Sequence, residues 1–222
     1  MDLKKLTESN ITSAVKLRNN MISWNEVDEL LLREFEKNKV NKNPHHIGYK
    51  IELVNKLYNC NLNMDKKLVA EEIQKLKLDL LFAEKDASPE DIVEKIASIQ
   101  PLPYGRSVGP VFASKYCHFH YPEIFPIYDK YSRFALSDLL GKKKGEYENK
   151  YPLFKNDLDG LMENLSWKTS YKELDVYLWL YGQWIEYKKY RNDEVKLKIN
   201  FSLLKRNFIR DNIELFQKLD PD

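Results

Sequence analysis

Residues 102–136 read LPYGRSVGPVFASKYCHFHYPEIFPIYDKYSRFAL, and this stretch decides how the rest of the chain is understood. Pro101-Leu102-Pro103-Tyr104-Gly105 is the one dense Pro/Gly break in the sequence, and helical periodicity resumes near Gly109, so a turn between two helices is expected there. Asp129 then stands ahead of a second amphipathic run with Phe134, Ala135 and Leu139, which Gly141 ends.

Outward from this stretch the pattern stays helical. Upstream, Ser23-Trp24-Asn25-Glu26 reads as a capping box ahead of Val27, Leu30, Leu31 and Phe35. Asn43-Pro44 opens a helix carrying Ile47, Ile51, Val54 and Tyr58, and Asp65 opens one with Val69, Ile73, Leu76 and Leu80 in register. Ser88-Pro89-Glu90-Asp91 combines a cap, a first-turn proline and acids at the positive end of the helix dipole. Downstream, helices are expected over about 152–165, 170–190 and 201–219, the middle one opened by the Ser170/Glu173 capping box. With no βαβ alternation and no repeat, the expectation is an all-α, compact multi-helix fold, one domain over 1–222.

Composition narrows the function classes. The chain has 222 residues, 43% hydrophobic and 32% charged with only 7 Gly, enough for a core without disulfides and inconsistent with a disordered chain. Cys60 and Cys117 lie far apart, so neither a disulfide framework nor a cysteine metal site is indicated; reduced, buried thiols are expected, and no metal or cofactor. No apolar run approaches the ~18 residues of a membrane span, so the expectation is a cytoplasmic monomer. A net charge of +2 does not announce nucleic-acid binding. Two basic groups, Lys142–Lys144 and the run through Lys188, Lys189, Arg191, Lys196 and Lys198, could follow a phosphate backbone, but each by itself reads first as solvated surface.

The residues that carry chemistry have two readings each. Gly105, Arg106, Ser107 and Gly109 form a glycine-bordered loop entering a helix, suited to a phosphate oxygen or simply to a tight turn. Asp129 is either a helix cap or an ionised carboxylate placed to stabilise positive charge on a sugar ring, roles that are compatible. Lys115 reads as a phosphate contact, an amine nucleophile or a surface lysine. His118 and His120, two apart, do not share a helix face, which argues against a joint metal site; one is expected to pack in the core. Tyr177, Trp179, Tyr181, Gln183 and Trp184 supply aromatic faces for core or pocket, with Trp179 and Gln183 off the main seam and Asp175 as a rival carboxylate on the same helix.

This stretch resembles the helix-hairpin-helix DNA glycosylase superfamily, whose LPGVGPxxA hairpin is matched by Leu102, Pro103, Val108, Gly109, Pro110 and Ala113 with Arg106-Ser107 added in the loop, and whose P-x-x-F-P-x-D segment is matched by Pro122, Phe125, Pro126 and Asp129 with Ile127-Tyr128 where the family has one residue. The close match covers about a sixth of the chain. The resemblance implies a helix-hairpin-helix motif, hydrolysis of the N-glycosidic bond of a flipped base in DNA, and a role in repair or in defence against phage with modified DNA. It implies Asp129 as the catalytic carboxylate, with Lys115 the nearest lysine, and the hairpin side of the stretch on DNA, for which Tyr104, Gly105, Arg106, Ser107, Gly109 and Lys130 are the candidates; a flipped base also needs aromatic faces and hydrogen-bonding groups, for which Tyr128, Tyr131, Trp179 and Gln183 are the candidates. Val111 stands where bifunctional members carry a lysine, which favours a monofunctional enzyme. The competing expectation is a non-catalytic module that binds nucleic acid or a protein.

Overall fold

The computed structural model describes residues 5–84, 87–102 and 105–221. Among these the chain is all-helical and has no strand. In order the helices are α1 (Glu8–Asn19), α2 (Ile22–Lys37), α3 (Pro44–Leu57), α4 (Lys66–Lys75), α5 (Leu78–Ala83), α6 (Pro89–Ala97), α7 (Pro110–His120), α8 (Lys130–Leu139), α9 (Tyr151–Glu163), α10 (Tyr171–Tyr190), α11 (Glu194–Asn200), α12 (Leu203–Asp211) and α13 (Ile213–Gln217).

Local capping chemistry sets many of these starts. Asn43, Asp65, Ser88 and Asp129 each accept a hydrogen bond from the backbone N–H of His45, Lys67, Asp91 and Ser132. Ser170 and Glu173 close the expected capping box on α10. Three boundaries differ from the sequence pattern. Ser23 lies inside α2, which is already helical at Ile22. The helix after Asp65 stops at Lys75 because Lys77 turns left-handed at φ 51°, and Leu78 takes the buried position while Leu80 is exposed. The run expected over 201–219 is two short helices, α12 and α13, because Phe201 only closes α11 and Asn212 ends α12.

Where the sequence suggests one core, the described residues group into two compact units. The first comprises Met1–Ile22, Asp129–Glu148 and Asp157–Asp222; the second comprises Ser23–Tyr128 and Asn149–Asn156. In the first, α10 packs on α8 and α1, and its aromatic stripe is core: the Tyr177 hydroxyl donates to the Leu219 carbonyl at 3.0 Å and the Trp184 indole to Asp220 at 2.9 Å. Gly182 permits the α8 contact, because a Cβ there would lie 2.2 Å from the Tyr131 carbonyl oxygen.

The second unit is organised around α7, whose residues Phe112 to His120 are all buried. Its polar members have partners: Ser114 Oγ accepts from the Tyr128 N–H, and His118 Nδ1 meets the Phe125 carbonyl at 2.8 Å. Both histidines are therefore core residues. Cys117 is buried, whereas Cys60 is half-buried.

Beside α7 lies a buried lysine. Lys50 is 0% exposed, and its ammonium reaches three acceptors, the Asn38 carbonyl at 2.9 Å, Asn41 Oδ1 at 2.8 Å and His120 Nε2 at 3.2 Å. Asn41 also accepts from the Tyr116 hydroxyl and donates to Asp79. Three ammonium protons and three acceptors match, which is what makes a charge tolerable here. Burial pushes the Lys50 pKa down to about 8, with Asp79 opposing the shift. It also holds His120 well below its usual value, helped by the charges of Lys50 and Lys39.

A lysine whose folded pKa lies below its unfolded one opposes folding while protonated. The penalty is complete below about pH 8 and is relieved as pH rises toward the unfolded value. Burial raises the Cys117 and Tyr116 pKa values, so their contributions are lost in the opposite direction, above the unfolded thiol and phenol values. The urea midpoint of the wild type should therefore climb slightly from pH 7.5 to 9 and fall above 10. Lys50→Met should remove the climb and cost about 2–4 kcal/mol by leaving buried acceptors unmatched. A variant as stable as the wild type, or one that keeps the climb, would contradict this network.

Candidate active site

Asp129 caps α8, with its Oδ1 accepting from the Ser132 N–H at 2.8 Å. The next two residues turn toward α10 and α12. Lys130 Nζ donates to Glu186 Oε1 at 2.7 Å and lies 5.2 Å from the Tyr131 ring centre, and Lys205 Nζ lies 5.5 Å from the same ring. Asp129, Lys130, Tyr131, Glu186 and Lys205 thus form one group of charged and phenolic side chains within the first unit.

Their electrostatics bear this out. Burial raises the Tyr131 pKa, and the carboxylates of Glu186 and Asp129 raise it further, so the phenol stays protonated. Burial lowers the Lys205 pKa; Asp129 and Glu186 oppose the shift and Lys130 adds to it. A carboxylate at a helix start beside a lysine of reduced proton affinity can stabilise developing positive charge and take a proton from water.

The hairpin lies in the second unit. The Gly109 N–H donates to the Ala97 carbonyl at 2.9 Å and the Val108 N–H to Ile99 at 3.0 Å, joining the end of α6 to the start of α7. Gly109 sits at φ 81°, a conformation that favours glycine. The Gly105 N–H is committed too, to the Leu102 carbonyl at 3.0 Å. The amides of Gly105 and Gly109 are therefore spent on the turn, and an anion would meet the exposed Arg106 and Ser107 and the first-turn N–H groups of α7. Ser107, Gly109 and Pro110 border a groove of about 640 Å³ with Lys95 and Asn149, one wall of which carries Asp91 and Glu94.

Several expected site residues are placed elsewhere. Lys115 is 5% exposed, lies 5.2 Å from the Tyr58 ring centre and points its Nζ at the Tyr58 carbonyl, because α7 is buried on all sides and the long stem must find a carbonyl. Tyr128 is 0% exposed, packed on Tyr151 and Phe154 and accepting from the Lys150 N–H; it is core, not base pocket. Gln183 is buried and its amide bonds the Trp179 carbonyl within α10, while Trp179 is half-buried. Lys130 is committed to Glu186. Tyr104 lies outside the described residues. The C-terminal basic run is largely paired, Lys188 with Asp220, Lys196 with Asp193 and Lys198 with Glu194.

Sequence reasoning singled out neither Glu186 nor Lys205. Glu186 follows Gln183 by three residues, so a facing carboxylate could have been noted, but nothing local ties α12 to α8.

No helix among the described residues is long and apolar enough to cross a membrane. No curated protein and no solved structure matches the chain. Residues 8–124 match the family model HI_0787_N, described as an N-terminal domain; the match contains the hairpin and α7 and ends before Asp129. Since it spans just over half of the sequence, the chain belongs to the HI_0787_N N-terminal domain family.

Proposed function

We propose that the protein is a monofunctional DNA N-glycosylase. The observation that carries this reading is the side-chain group around Asp129, in which a carboxylate held at a helix start is accompanied by Tyr131, Glu186 and the partly desolvated Lys205. A base flipped from the duplex leaves as its C1′–N bond breaks, and positive charge grows on the sugar ring. Asp129 offsets that charge, orients a water onto C1′ and accepts its proton, while the departing base takes up a proton. Lys205 keeps positive potential beside the carboxylate and suits a neighbouring phosphate. Arg106, Ser107 and the first turn of α7, in a helix-hairpin-helix role, are suited to a second phosphate. Repair, or attack on modified phage DNA, is the setting for such chemistry.

A second reading is favoured by Asp129 being a complete helix cap and by the burial of Lys115: a module that binds nucleic acid and performs no chemistry. Duplex oligonucleotides carrying a panel of altered bases separate the two. After incubation and alkali, the glycosylase reading expects strand breaks at one class of altered base. Intact strands across the panel, with retained DNA binding, would favour the module.

A further inference from the structure

The surface formed by α11 and the start of α12, both in the first unit, is built the reverse way from an ordinary helical surface. Val195 and Ile199, one turn apart on the same face of α11, and Leu203 and Leu204 at the start of α12 are between 60% and 81% exposed. Within α11 only Leu197 is as much as half-buried, and the exposed Lys196 and Lys198 flank the outward ridge of Val195 and Ile199. Buried Phe201 anchors the connection between the two aliphatic pairs. Charge is as one-sided as exposure: residues 195–210 contain Lys196, Lys198, Lys205, Arg206 and Arg210 and no acid, in a chain whose net charge is +2. Asp193 and Glu194, just ahead of the stretch, pair with Lys196 and Lys198, but such exposed pairs hold little.

We propose that this face docks peripherally on a membrane rich in anionic phospholipid, with the aliphatic side chains entering the boundary between headgroups and acyl chains and the cations lying among the phosphates. Aliphatic side chains set among lysine and arginine suit an interfacial anchor, because burial of apolar area and attraction to anionic lipid add. The lysine stems can run from the apolar level out to the headgroups. Other occupants fit less well. A second copy would set five cations against five. A nucleic acid would satisfy the cations and leave the aliphatic ridge against sugar and phosphate. A rigid protein groove is a poorer match for side chains that stand this far out of the surface than acyl chains, which mould around them. With seven residues, α11 lies along such a surface and does not cross it. The proposal is independent of the glycosylase reading.

Co-sedimentation of the full chain with lipid vesicles tests it. Phosphatidylcholine vesicles containing a third of phosphatidylglycerol should retain the protein, pure phosphatidylcholine vesicles should retain it about tenfold more weakly or less, and added salt should release it. Val195→Ser with Ile199→Ser, and separately Leu203→Ser with Leu204→Ser, should each weaken retention about tenfold. Lys196→Gln with Lys198→Gln should weaken it by roughly fivefold per lysine. All of these side chains are exposed, so every variant should melt with the wild type. No retention on anionic vesicles, equal retention on neutral ones, or indifference to either serine pair would overturn the proposal. A wild type that ignores vesicles but self-associates, or binds duplex DNA, through the same aliphatic pairs would overturn it in favour of those occupants.

Discussion

Asp129→Asn is expected to lower the rate of base release by roughly 10²–10³-fold while leaving the protein folded. Asparagine caps a helix about as well as aspartate, so its side-chain oxygen can still accept from the Ser132 N–H and α8 keeps its start. What disappears is the negative charge, and with it the means of offsetting positive charge on the sugar and of taking a proton from water. The same substitution removes a carboxylate that opposes the lowering of the Lys205 pKa, so that lysine should titrate lower still in the variant. Single-turnover kinetics on the oligonucleotide that the panel identifies, with circular dichroism of both proteins, checks both halves. Full activity in the variant would reduce Asp129 to a cap.

Gly182→Ala should have the largest effect on stability. The added methyl would lie 2.2 Å from the Tyr131 carbonyl oxygen and 2.7 Å from its carbonyl carbon, atoms that no rotamer change can move away. Relief requires α8 to back away from α10, opening the main helix contact of the first unit. A cost of about 3 kcal/mol or more is expected from such overpacking, which for a chain of this size lowers Tm by roughly 6–12 °C. Because the displaced backbone carries Tyr131 and adjoins Asp129, base release should fall as well. A variant that melts with the wild type would show that the two helices are not held this closely.

What the sequence disclosed follows from the range of the forces involved. The caps at Asn43, Asp65, Ser88, Asp129 and Ser170 are bonds between a side chain and an amide two or three residues on, and the residue types announce them. Periodicity likewise identified α3, α6, α8 and α10, whose buried faces are set by spacing. It misjudged the chain after Asp65 because one left-handed residue, Lys77, shifts the register and sends Leu80 outward. The burial of Lys115 was not legible either, because a helix whose residues from Phe112 to His120 are all buried leaves a lysine no solvent face. The group around Asp129 was half legible: Asp129, Lys130 and Tyr131 are consecutive, whereas Glu186 and Lys205 arrive from α10 and α12 through packing that no local pattern encodes.

On the proposed reading the carboxylate of Asp129 serves the breaking of a base–sugar bond, which mass spectrometry of an altered-base duplex after incubation with the wild type and with Asp129→Asn tests. The expected result is a free base together with an unbroken strand whose mass has changed by loss of that base and gain of water, both nearly absent with the variant. Strands of unchanged mass with the wild type on every substrate that it binds, or equal base release by the two proteins, would contradict it.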